Sequence, residues 1–181
     1  SLLDNISHDN PQPLLVVVMG VSGTGKSTLG KEIARHCEFT FLDADSLHSD
    51  DAIEQMSQGI PLTDLQRAPW VKRIYSQLCE YQSQNKSCVL AYSGLKQQHR
   101  KIIFSAYRNT LGLLLKADQR LISKRLEKRN DHFMSPQLLS SQIAEMESFD
   151  DDIPLLKLGI DDSVEQLLLR AVNFISLVKK E

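Results

Sequence analysis

Strands alternating with helices along the whole chain predict an α/β fold, a parallel sheet covered by helices on both faces. Three observations carry this expectation. Leu14–Met19 (LLVVVM) is apolar at every position, the pattern of a strand buried on both sides. A glycine-rich turn follows directly and runs into a helical pattern from about Lys26 to His36. Four more short apolar runs, at Phe39–Leu42, Cys88–Tyr92, Leu111–Leu115 and Leu155–Leu158, are each reached through at least one helical segment.

The helices follow from their ends. Ser49 precedes an acidic first turn at Asp50 and Asp51, which favours a short helix over Asp50–Ser57, closed by Gly59 and Pro61. Thr63-Asp-Leu-Gln66 is a capping box opening a helix to about Gln84. Gln97–Tyr107 and the basic Asp118–Arg129 are helical by pattern, and Ser135-Pro136 starts a helix to about Ser148. A second capping box, Ser163-Val-Glu-Gln166, opens a last helix over Val164–Lys179. Without repeats or a low-complexity linker, residues 14–181 form one expected domain, preceded by a loose polar tail over 1–13.

Composition narrows the function. The chain is 41% hydrophobic and 24% charged with a formal net charge of -2, which disfavours a broad nucleic-acid surface. Its longest apolar run is too short to span a bilayer. Residues 1–13 lack the basic and apolar regions of a signal peptide. Three widely spaced cysteines, Cys37, Cys79 and Cys88, fit reduced thiols in a cytoplasmic protein better than a disulfide framework or a CxxC metal site.

Gly20-Val-Ser22-Gly23-Thr24-Gly25-Lys26-Ser27 fits GxxxxGK[ST] between a strand and a helix, with Thr28 next in the helix. Glycines let such a loop wrap an anion, and its N–H groups and the helix N-terminus face the phosphates. Lys26 is expected at the β- and γ-phosphates and the Ser27 hydroxyl on Mg²⁺, so ATP and Mg²⁺ are the expected cofactors. Neither a guanine-reading NKxD nor an LSGGQ segment is present, which leaves the small kinases that phosphorylate a metabolite.

Such chemistry needs a carboxylate beside the attacking hydroxyl and help in holding the metal. Asp43-Ala-Asp45 stands at the carboxyl end of the second strand, where open α/β sheets bind ligands. His48 is either a substrate contact or a packing residue. Arg125 and Arg129, four apart on one helical face, suit a lid over roughly 125–148 that clamps the transferring phosphate, or else a solvated basic face.

With these motifs in hand, the sequence resembles the gluconate kinase (gluconokinase) family over roughly residues 14–175. The resemblance rests on VMGVSGTGKST (18–28), FLDADSLH (41–48), MSQGIPLTD from Met56, Arg67-Ala-Pro-Trp70, YSGLK with Arg100, and Arg125-x3-Arg129 followed by HFMSPQLLSSQ (132–142). It implies a P-loop nucleoside/shikimate-kinase-like three-layer fold with a five-stranded parallel sheet and a helical lid. It also implies transfer of the ATP γ-phosphate to the 6-hydroxyl of D-gluconate with Mg²⁺, often by a homodimer. Carried across, Asp45 is the base, with Lys26, Arg125 and Arg129 completing the catalytic set. Asp43 and Ser27 hold the metal, and Asp45, His48, Arg67, Lys96 and Arg100 are substrate contacts. The family's HPxxN reads His48-Ser-Asp-Asp-Ala52 here. A kinase for another sugar acid or a shikimate-like acceptor, and a nucleotide-binding regulator without catalysis, are the alternatives.

Overall fold

Alternate side chains of Leu14–Met19 serve two different cores. In this computed structural model, which describes residues 12–21, 23–116, 136–149 and 152–179, that segment is β1, and all six of its residues are buried. Leu14, Val16 and Val18 pack on one face with Leu29, Ile33 and Ala34 of α1 (Lys26–Cys37) and with Leu167, Ala171 and Ile175 of α6 (Val164–Lys179). Leu15, Val17 and Met19 pack on the other with Trp70, Val71, Ile74 and Leu78 of α3 (Asp64–Ser83) and with Ile103 and Phe104 of α4 (Gln97–Phe104). The two-residue period of a strand thus converts one apolar run into three layers.

The sheet has the order β2-β3-β1-β4-β5 and is parallel throughout, with β2 at Thr40–Asp43, β3 at Cys88–Ala91, β4 at Asn109–Lys116 and β5 at Leu155–Gly159. The chain leaves β1 toward β2 on one side and later reaches β4 on the other. The carboxyl ends of β1, β2 and β3 therefore open onto a crevice where the winding reverses, the place where such sheets bind ligands. The expected α/β class, the parallel arrangement and the five strands all hold.

Helix starts follow the capping chemistry. Ser49 Oγ accepts from Ala52 N at 3.1 Å and begins α2 (Asp50–Ser57), and Thr63 and Gln66 form both bonds of their capping box at the start of α3. Three details differ from expectation. Ala44–Leu47 form a single 3-10 turn after β2. The helix expected over 97–107 stops at Phe104, with Ser105 N turning to the carbonyls of Lys101 and Ile102. α5 begins at Pro136 but ends at Glu145 instead of Ser148. The reason for the last is tertiary: Glu147 N donates to Leu95 O at 2.7 Å instead of back along the helix, and Arg100 then holds the carbonyls of Glu147 and Ser148 at 3.3 and 2.6 Å. The expected helix over 118–129, and residues 1–11 of the expected tail, lie outside the described residues.

Ile74 is fully buried on the α3 side of the sheet. Ile74→Ala is expected to lower the unfolding free energy by about 2–5 kcal/mol, read as a shift in the urea midpoint at unchanged slope.

Candidate active site

The turn from β1 into α1 is shaped by glycine. Gly20, Gly23 and Gly25 have φ of +146°, +86° and +91°, in the region that side chains disfavour. At Gly20 a Cβ would also meet Leu115 O at 2.8 Å and Thr24 Oγ1 at 2.9 Å. The buried Thr24 hydroxyl donates to Val21 O at 2.8 Å, and Lys26 Nζ donates to the same carbonyl at 3.1 Å, curling the loop over the N-terminus of α1. Gly25 caps that helix with Lys26, Ser27 and Thr28 in its first turn. This places the expected phosphate-binding residues Gly20, Gly23, Thr24, Gly25, Lys26, Ser27 and Thr28 at one concave turn; Ser22 lies outside the described residues.

Asp43, the last residue of β2, is bonded through both carboxylate oxygens. Oδ2 accepts from Ser27 Oγ at 3.0 Å, and Oδ1 accepts from Asp45 N at 3.0 Å. The second bond caps the 3-10 turn and directs Asp45 into the cleft, where it lines the same surface as Lys26. The protein packed around the carboxylate strips part of its hydration and raises the Asp45 pKa above the usual carboxylate value; the Lys26 ammonium lowers it and the Asp43 carboxylate raises it. Its side chain still keeps 48% of its accessible surface, so ligands can reach it.

The far wall of the cleft is aromatic and cationic. His48 stacks on Trp70 with ring centroids 4.0 Å apart, and Trp70 Nε1 donates to Ala44 O at 2.7 Å, fixing both rings against the turn that carries Asp45. Burial lowers the His48 pKa to about 4, helped by the positive charges of Arg73 and Arg67 and opposed by Asp43. The imidazole is therefore neutral at neutral pH, and its Nε2, 3.9 Å from Asp45 Oδ1, does not form an ion pair there. Its Nδ1 is buried without a hydrogen-bond partner among the described residues. Arg67 is 7% exposed and lines the cleft, donating from Nη1 to Asp64 at 3.1 Å and from Nη2 to Glu145 at 2.6 Å. Ser93 and Leu95 after β3, and Leu138, Ser141 and Gln142 of α5, complete the enclosure, over an apolar patch of Met56, Leu62 and Leu138.

Lys26, Asp45, His48 and Arg67 thus meet in one cleft, while two expected substrate contacts do not. Arg100 is completely buried, with its guanidinium on the carbonyls of Gly94, Leu95, Glu147 and Ser148 and against the Phe149 ring. These contacts make it the anchor of the segment after α5 and leave it off the cleft wall. Lys96 precedes α4 and lines a separate depression with Asp64, His99 and Glu147. A cation close to a motif in sequence can still point out of the site, and only the packing of the following helix decides it. Arg125 and Arg129 lie outside the described residues. Sequence reasoning also passed over Ser141, Gln142 and Glu145, although the first two stand inside the HFMSPQLLSSQ stretch; their helical spacing was the available signal.

Fold and site together define a small P-loop kinase, a phosphotransferase acting on an alcohol group. A family model described as an AAA domain matches residues 15–149. The chain is 32% identical to the thermoresistant gluconokinase of Escherichia coli, over 96% of this chain and 98% of that one, and 38% identical to a probable gluconokinase of Dictyostelium discoideum, over 80% and 76%. The crystal structure of a gluconokinase from Sinorhizobium meliloti superposes with a TM-score of 0.83 at 29% identity, covering 93% of this chain and 95% of that one. The chain belongs to the gluconokinase family.

The depressed His48 pKa has a consequence for stability. Between about pH 6.5 and 4 the unfolded chain binds a proton at this position that the folded chain refuses, so His48 makes the fold less stable as pH falls through that window. His48→Phe is expected to flatten the dependence of Tm on pH between those limits, measured against the wild-type curve.

Proposed function

We propose that this protein transfers the γ-phosphate of ATP to the 6-hydroxyl of D-gluconate, giving 6-phosphogluconate. The observation that carries the reading is a single cleft lined by Lys26, Asp45 and Arg67: a cation for phosphate, a carboxylate for a hydroxyl proton, and a buried cation for an acid. Family membership gives the substrate class.

The chemistry follows from where the groups lie. ATP phosphates fit the glycine turn, met by backbone N–H groups, the α1 N-terminus and Lys26. The acceptor hydroxyl at Asp45 attacks the γ-phosphorus as the bond from that phosphorus to the β–γ bridging oxygen breaks, and Asp45 takes the hydroxyl proton. Its raised pKa suits a group that must accept a proton without being a strong acid. Ser27 and Asp43 present hydroxyl and carboxylate oxygens side by side, 3.0 Å apart, a hard-oxygen pair that would hold Mg²⁺, whose charge would offset that developing on the phosphates. His48, neutral and lining the cleft beside Asp45, is proposed as a hydrogen-bonding contact for the polyol hydroxyls. Arg67 offers its charge to the carboxylate end. Arg125 and Arg129 are proposed as the lid clamp on the transferring phosphate. A cytoplasmic, homodimeric enzyme completes the proposal; no helix among the described residues is long and apolar enough to cross a membrane.

Gluconate is expected to stimulate ADP release by the wild-type protein, and Asp45→Asn to lower kcat by roughly 10²–10⁴-fold while a fluorescent ATP analogue still binds. Failure of gluconate and of a panel of related aldonic acids to stimulate release rejects the substrate assignment. An undiminished kcat in Asp45→Asn rejects the base.

A further inference from the structure

Arg67 already holds a carboxylate that is not a substrate. Its side chain is 9% exposed, and the short 2.6 Å bond from Nη2 goes to Glu145 Oε2, on the last residue of α5 and 78 positions away in sequence. Asp64, on the same helix as Arg67, accepts from Nη1 at 3.1 Å. One guanidinium therefore faces two carboxylates, and the group of three carries a net negative charge. Lys26 and Arg67 are the cations that line the cleft among the described residues, and the phosphates claim Lys26. An acid entering the cleft meets a guanidinium whose two terminal nitrogens are already engaged, Nη1 by Asp64 and Nη2 by Glu145, and the extra negative charge opposes it.

We propose that Glu145 is a resident competitor for the substrate carboxylate: a sugar acid binds by displacing Glu145 from Arg67, so Glu145 sets the affinity of this kinase for acids. The inference rests on the assignment of Arg67 to the carboxylate end. Two features set Glu145 apart from Asp64, which sits in the first turn of α3 where the helix dipole favours its charge. Glu145 is the terminal residue of its helix, where the dipole disfavours a negative charge, and its side chain is 29% exposed, so water can reach the carboxylate once the guanidinium leaves. The chain beyond it is held independently: Glu147 N donates to Leu95 O at 2.7 Å, Glu147 Oε1 accepts from Gln97 N at 2.7 Å, and Arg100 binds the carbonyls of Glu147 and Ser148. Release of Glu145 removes the ion pair that ties the end of this helix to Arg67, while the buried Leu138 and Leu139 and the segment beyond keep the helix in place. The ligand's preference for the displaced state supplies the shift.

Trp70, the chain's one tryptophan, stacks on His48 in this cleft and reports occupancy by fluorescence. Titrations of wild type, Glu145→Gln and Glu145→Ala with gluconate and with glucitol, the same carbon chain without a carboxylate, test the proposal. Gluconate is expected to bind both variants roughly tenfold more tightly than wild type, with glucitol changed less than about twofold. In steady state the KM for gluconate falls while that for ATP does not move. Gluconate affinity that is unchanged or weaker in Glu145→Gln overturns the proposal, as does an equal shift for both ligands, which marks Glu145 as a brace for α5. Wild-type turnover of gluconate is read separately. If turnover is absent but removal of the Glu145 charge still tightens carboxylate binding, the substrate assignment falls and the competitor stands. If gluconate binds none of the three proteins, both fall.

Discussion

Asp43 is the constraint on which the site depends. One carboxylate joins the first turn of α1, through Ser27, to the turn after β2, through Asp45 N. The carbonyl between them, Ala44 O, accepts from Trp70 Nε1, and Leu47 O accepts from Arg73 Nε at 2.8 Å, so α3 is tied to the same turn. Each bond is worth about 0.5–1.5 kcal/mol net, but an unmet partner in this enclosed setting costs more than its bond contributes. The arrangement therefore tends to form as a unit. The phosphate loop, the candidate base and the substrate wall take up their positions relative to one short stretch, residues 43–48. Parallel strand order makes this possible, because β2 and β1 end on the same edge with only β3 between them.

In the proposed reading Lys26 serves the phosphates and Arg67 the acid, with Asp45 lining the same cleft. His48 is kept uncharged by burial and by Arg73 and Arg67, so it adds hydrogen bonding without adding a cation that would weaken Asp45 as a base. A molecule that is anionic at one end and bears hydroxyls along its length matches this layout. Glu145 extends the same logic, since the affinity of a buried cation for a ligand is set against whatever carboxylate holds it beforehand.

Much of this was legible in the sequence, for identifiable reasons. β1 is apolar at six successive positions, and its bounds match because a strand buried on both faces has no other pattern. The capping box at Thr63 and the cap at Ser49 are local chemistry, readable within four residues. The division of the acidic stretch into Asp43 and Asp45 at the site and Asp50 and Asp51 at a helix start follows from those caps. The 3-10 turn was missed because four residues leave no period to detect. The place of Arg100 off the cleft wall was not legible because its partners, Glu147 and Ser148, lie 47 and 48 positions away, and a guanidinium bound to carbonyls looks in sequence like one facing an acid. Glu145 was invisible for the same reason: nothing near it in the chain points to Arg67.

With the reacting hydroxyl at Asp45 and the acid at Arg67, the substrate has one orientation in the cleft. A crystal structure with gluconate and a non-hydrolysable ATP analogue tests this most directly. The expected result is the 6-hydroxyl within hydrogen-bonding distance of Asp45 and the carboxylate on the Arg67 guanidinium. A gluconate bound the other way round, or with its carboxylate on Lys96, contradicts it.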